Sequence, residues 1–216
     1  MPNDPETQDL LEKATRGDQD ALRSLFERHR EKLLRMVELR MDRRLQGRAD
    51  ASDVLQEAYL EVAQKLEKYV SDPQVPFFVW LRFVTSQTLT HFHQHHLGTK
   101  MRDARLEISI FAEPLPEATS EALAAQLLGD FTSPSEAAER AELKARLEDA
   151  LNRLDSSDRD VLALRHFEHL SVAETAQVLG LNPPAASKRY IRAAIRLRDL
   201  LKSMGLDTEA ISLERT

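Results

Sequence analysis

Between residues 52 and 70, apolar side chains fall at Val54, Leu55, Ala58, Tyr59, Val62, Leu66 and Tyr69. Steps of three and four residues, at about 100° each, gather them on one broad face of a helix. The same period runs through nearly all of the 216 residues, and apolar and polar residues almost nowhere alternate as a strand requires. The expected fold class is therefore all-α.

Several classes of chemistry are excluded by what the chain lacks. It has no cysteine, which removes disulfide scaffolds, thiolate zinc sites and thiol catalysis. Its six glycines (17, 47, 98, 129, 180 and 205) never come closer than 25 positions to one another. A phosphate-cradling loop needs clustered glycines, and the strained serine elbow of hydrolases needs two beside its nucleophile. No enzyme activity and no cofactor are expected. The first five residues lack the basic and apolar regions of a signal peptide, and the longest apolar run, 75–81, contains Pro76 and stops at Arg82. The expectation is a cytoplasmic protein with no membrane partner.

The net charge of −6 is unevenly spread. Residues 1–105 carry 17 acids and 17 bases, and residues 140–216 carry 12 acids and 13 bases. Residues 106–139 carry seven acids and neither Lys nor Arg, together with Pro114, Pro116 and Pro134. Such a stretch reads as an acidic linker between two small helical domains, with one short helical segment allowed at 123–128. The expected organisation is a first domain at 5–105, a linker at 106–135, a second domain at 136–204 and a tail at 205–216.

In the first domain Asp18 is positioned to cap a helix running toward Leu45. On the helix at 52–70, the face opposite the apolar one holds Asp53, Gln56, Glu57, Leu60 and Gln64. A leucine amid acids and amides is either a lone exposed apolar residue or the knob of a docking surface. The next helix, 77–96, puts Phe77, Leu81, Val84, Thr88 and Phe92 on its core side. Trp80, Phe83, Gln87, Thr90, His91 and Gln94 fall on a separate face, where aromatics interleaved with polar groups suit unpaired bases. The alternative is that Trp80 packs inside. His91 and His95 lie one turn apart, as metal ligands on one face would, but only two imidazoles converge at once, so no metal site is expected.

The second domain contains a helix-turn-helix. Helices are expected at 136–152 and 157–167, then Ser171-Val172-Ala173-Glu174 forms a capping box. Gly180 supplies the turn, Asn182 the next cap and Pro183 the first helical position. On the last helix Tyr190, Ala194, Leu197 and Leu201 share one arc, and Arg189, Arg192 and Arg196 another. Residues 183–202 hold six bases and one acid, the local surplus that phosphate contact requires.

With these features assembled, the chain resembles bacterial RNA polymerase sigma factors of the extracytoplasmic-function (ECF) group of the sigma-70 family. Residues 50–60, residues 77–82 and residues 154–201 carry the resemblance, in that order and with the acidic stretch between the last two. It implies two domains that read the −10 and −35 promoter elements while straddling core RNA polymerase. Asp53, Gln56, Glu57 and Leu60 match the surface that docks on the β′ clamp. Trp80, Phe83, Gln87 and His91 match the surface that holds melted DNA. Ser71, Asp72 and Gln74 correspond to the loop that captures a flipped base. Asn182, Ser187, Lys188, Arg189, Arg192 and Arg196 become readers of the −35 element. Promoter DNA, the β′ clamp, the β flap and an anti-sigma factor are the partners the resemblance implies.

The chain departs from the family pattern at 83–99, which contains no Lys or Arg, and at Pro183, Pro184, Ala185 and Ala186, which put little readable chemistry at the start of the recognition helix. Three rival readings make different predictions. A stand-alone helix-turn-helix regulator binds duplex DNA tightly without polymerase, a polymerase-binding adaptor ignores DNA, and a histidine-dependent metalloprotein purifies with metal.

Overall fold

The computed structural model describes residues 3–45, 48–97, 118–129 and 137–206. Among these residues there are helices and turns and no strand, and two compact units divide between Pro116 and Glu117.

The first unit contains α1 (Pro5–Thr15), α2 (Gln19–Arg40), α3 (Ala51–Ser71) and α4 (Phe77–Leu97). Helix α1 goes beyond the sequence expectation: Asp4 caps it by accepting from the Thr7 N–H, and Pro5 occupies its first turn. Asp18 caps α2 as expected, accepting from the Asp20 and Ala21 N–H groups, but α2 stops at Arg40, short of Leu45. Leu25, Leu33, Met36 and Val37 of α2, Val54, Ala58 and Val62 of α3, and Phe77, Leu81 and Val84 of α4 form one continuous core. The periodicity of α3 is thus borne out by its buried residues.

Helix α4 is buried most of the way round because α2 and α3 both pack against it. Trp80 accordingly goes into the core. It is only 7% exposed and stacks on Tyr69 of α3 with ring centroids 4.5 Å apart. The short loop after α3 is anchored from beneath: the Tyr69 hydroxyl donates to the Val75 carbonyl at 2.9 Å, and the Phe77 N–H donates to the Asn3 carboxamide oxygen at 2.7 Å.

The second unit contains α5 (Ser120–Gly129), α6 (Ala137–Asn152), α7 (Ser156–Leu162), α8 (Val172–Val178) and α9 (Pro183–Ser203). Helix α7 runs into a π-helical turn at Ala163–Phe167. Helix α5 packs on α6, with Leu123, Ala124, Leu127 and Leu128 almost fully buried and Glu121 paired to Lys144 at 3.0 Å. The short helical segment allowed within the linker is therefore a full helix and part of this unit's core. The remainder of that stretch, 106–117 and 130–135, lies outside the described residues, as does the tail from 207.

Candidate functional site

The outer face of α3 is built by its N-terminus. Asp50 accepts from the N–H groups of Ser52 and Asp53, and Asp53 Oδ2 accepts from the Asp50 N–H at 2.8 Å, a reciprocal capping box. Gln56, Glu57 and Leu60 follow on exposed positions, and Leu60 is 59% exposed. The four residues share one surface, but Asp53 also holds the helix start, so only the latter three are free of a capping duty. Beside this face α2 and α3 enclose a groove of about 450 Å³. Phe26 and Tyr59, packed edge to face at 5.3 Å, lie along it with Leu55, and Arg23 and Arg30 stand on its α2 side. The α2 side belongs to a different helix and is not visible from the α3 face alone. Its signal is the polar stripe Arg23, Glu27 and Arg30 at steps of four and three.

Removing Trp80 from the single-strand surface leaves Phe83, Gln87, Thr90 and Gln94 half-buried and His91 exposed along one strip of α4. Arg82 is buried, so among Lys and Arg the helix offers no surface cation. Lys100, Arg102 and Arg105, the nearest bases beyond it, lie outside the described residues. Ser71 at the end of α3 and Asp72 and Gln74 on the loop after it are all exposed, and Gln74 Nε2 donates to Asp72 Oδ1 at 2.7 Å.

The α4 histidines do not converge on one point, although the His95 and His96 rings meet edge to face at 4.9 Å. Half-buried His93 accepts from the Asp42 N–H at 3.2 Å, while His96 packs on Phe92 at 4.3 Å. Burial pushes His93 below its usual pKa, with the Asp42 carboxylate opposing and Arg44 adding to the shift. A side-chain hydrogen bond from Arg44 holds Asp42 down to about 2. Among the described residues no group of three His, Asp or Glu side chains is placed to hold a metal ion.

The helix-turn-helix forms from the signals in its sequence. Ser171 and Glu174 make the reciprocal cap of α8, Gly180 takes φ +63° in the turn, and Asn182 Oδ1 accepts from the Ala185 N–H at 2.8 Å to cap α9. Leu197 and Leu201 anchor α9 inside, and Arg165 of the π turn lies over the half-buried Tyr190 ring at 5.4 Å. Lys188 and Arg192 are exposed and Arg189 is half-buried on one outer side, while Ser187 is half-buried on the other flank. None of the three bases pairs with a carboxylate among the described residues.

Two predicted readers have other duties. Asn182 spends its carboxamide oxygen on the cap. Arg196 bonds to buried Asp158 on α7, with Asp155 a further 3.7 Å contact, so it clamps α9 to α7.

A capped short helix, a glycine turn and a 21-residue helix with unpaired cations define a helix-turn-helix DNA-binding protein. The family model described as Sigma-70, region 4 matches residues 144–197, from α6 into α9. The chain is 28% identical over 194 residues to the ECF RNA polymerase sigma factor BldN of Streptomyces coelicolor, covering 89% of this chain and 65% of that protein. It is also 28% identical to RNA polymerase sigma factor CarQ of Myxococcus xanthus, covering 91% of this chain and 98% of the relative. Its fold matches CnrH, solved in complex with the cytosolic domain of CnrY, with a TM-score of 0.51 and 22% identity over 92% of this chain and 99% of that one. Over most of its length the chain is thus similar to RNA polymerase sigma factors of the extracytoplasmic-function group, and its second unit carries the sigma-70 region 4 match.

Proposed function

We propose that the protein binds core RNA polymerase, directs it to a subset of promoters and assists DNA opening, acting in the cytoplasm and catalysing no reaction itself. The observation that carries this reading is α9, a capped recognition helix with Lys188, Arg189 and Arg192 on its outer side and Asp199 its one acid. The bases contact phosphate and fix the register on the −35 element, while Ser187 and the free amide hydrogens of Asn182 reach toward base edges. Their small number makes this contact weak alone, which suits a factor that acts through polymerase.

Gln56, Glu57 and Leu60, with Asp53 at their helix start, form the polymerase-docking face toward the β′ clamp. Phe83, Gln87 and His91 line the melted −10 strand. Ser71, Asp72 and Gln74 receive a flipped base on a loop anchored by Tyr69 and Asn3. Uncharged contacts on α4 mean that stacking and hydrogen bonding, rather than phosphate attraction, hold the open strand there. The second unit meets the β flap, and an anti-sigma factor is a further partner by the analogy of CnrH with CnrY.

The test is promoter-directed transcription by core polymerase on genomic fragments, with wild type beside an Arg189→Glu/Arg192→Glu variant. The expected outcome is discrete transcripts with wild type and their loss in the variant. No specific transcript, from a core preparation that a control sigma factor activates, would favour the stand-alone regulator.

A further inference from the structure

Four of the chain's seven histidines fall within residues 91–96, inside the stretch 83–99 that contains no Lys or Arg. Two of them continue the strip of α4 read above as the melted-strand surface. Phe83, Gln87, His91 and His95 follow one another at steps of four, a stripe that winds slowly round the helix. Exposure rises along it: Phe83 and Gln87 are half-buried, and His91 and His95 are exposed. The two imidazoles are about 6 Å apart along the axis, so each can meet a different phosphate.

Neither His91 nor His95 bonds to or pairs with a carboxylate among the described residues, and the His95 ring meets that of His96. The charged groups on the elements packed against α4 are held elsewhere. Asp42 and Arg44, which follow α2, bind each other and meet His93 on another side of the helix. Asp50 and Asp53 at the start of α3 are engaged in its cap, and Arg40 of α2 and Arg82 of α4 itself are buried. A proton taken up at His91 or His95 thus finds no counter-ion among the described residues. Imidazole is the side chain whose charge changes between about pH 5 and pH 8. Neutral, it offers one N–H donor; protonated, it offers two and a positive charge. Stacking and hydrogen bonding are what α4 offers a strand while its imidazoles are neutral, and protonation adds phosphate attraction.

We propose that His91 and His95 are a proton-dependent phosphate-binding pair, through which the chain holds single-stranded DNA more tightly as the solution turns acidic. The inference rests on the reading of α4 as the melted-strand surface. The proton comes from solvent and goes onto the free ring nitrogen, and no bond in the DNA forms or breaks. Binding and protonation favour each other, because the strand's phosphates supply the counter-ions that the pair otherwise lacks. A Lys or Arg in the same places would hold the strand at every pH.

The experiment measures, by anisotropy, binding of the full chain to a fluorescein-labelled single strand of about 20 nucleotides and mixed sequence. Readings are taken at about pH 8 and about pH 6. All forms carry Arg189→Glu/Arg192→Glu, so that α9 does not contribute. This parent is compared with His91→Gln/His95→Gln, with His91→Lys/His95→Lys, and with His96→Gln as a control on another side of α4. The parent and the His96→Gln form should bind about tenfold more tightly at the lower pH in low salt. Their plots of log affinity against log salt should steepen there by roughly 1.4, about 0.7 for each imidazolium. The Gln pair should show neither change, and the Lys pair should bind tightly at both. Thermal melting at both pH values checks that each form is folded.

A gain with acid that survives in the Gln pair, or an equal gain for the same sequence as duplex, overturns the proposal. A Phe83→Ala/Gln87→Ala form separates that outcome from failure of the strand reading, since weaker binding at about pH 8 keeps α4 as the strand surface. If that form binds like the parent, or the parent binds at neither pH, the strand reading falls and takes the imidazole pair with it.

Discussion

At the scale of single residues, the second unit separates two arginines that look alike on a helical wheel. Arg192 projects into solvent, whereas Arg196 bonds to Asp158, which is 5% exposed on α7. Replacing Arg196 by Ala strips a buried carboxylate of its charged partner and should destabilise the protein by roughly 1–3 kcal/mol. Arg192→Ala should leave stability within about 0.5 kcal/mol and weaken duplex binding instead. Urea unfolding beside a duplex titration distinguishes the two, and equal effects on both readouts would contradict this division. The stripe of Arg189, Arg192 and Arg196 was visible in the sequence, but the carboxylate 38 positions away that claims one member was not. Trp80 is a similar case. Its placement with Phe77, Leu81 and Val84 at helical spacing was as legible as its place on the polar strip, and only the ring of Tyr69 on another helix decides between them.

Local signals suffice where an element is defined by its own sequence. The caps of α2, α8 and α9, the Gly180 turn and the core face of α3 all formed where their residues indicated. The π turn after α7 had no such signal. The join between the end of α2 and α4 depends on tertiary contact as well. Neutral His93 accepts the Asp42 N–H there, and protonation removes that acceptor. Because the folded pKa lies below the unfolded value of about 6.5, the unfolded chain binds the proton more readily. Stability from this site is therefore full above about pH 6.5 and is lost as pH falls from there through the folded value. A His93→Gln variant keeps an acceptor without titrating. Relative to wild type it should flatten the fall in melting temperature between about pH 7 and pH 5, a difference on the order of 1 kcal/mol. Parallel curves for the two proteins would rule the site out as the cause.

For the molecule as a whole, an overall negative charge coexists with a strongly positive α9, because the acids outnumber the bases chiefly within 106–139. The sequence exposed that partition directly, since charge counts need no structure. It did not expose the extent of the second core, because an Ala- and Leu-rich helix inside an acidic, proline-bearing stretch reads as linker until its packing partner is known. With Lys188, Arg189 and Arg192 as the phosphate contacts, the logarithm of duplex affinity should fall against that of salt with a slope of roughly −3. A slope near zero would mean that α9 does not meet the backbone as proposed. The burial of α5 also bears on how such proteins can exchange parts. A chimaera that joins a foreign first half to this chain at position 117 transplants a complete hydrophobic interior. One joined at 136 leaves the face of α6 that α5 covers bare to water. Of the two seams, only the earlier keeps the second unit's interior whole.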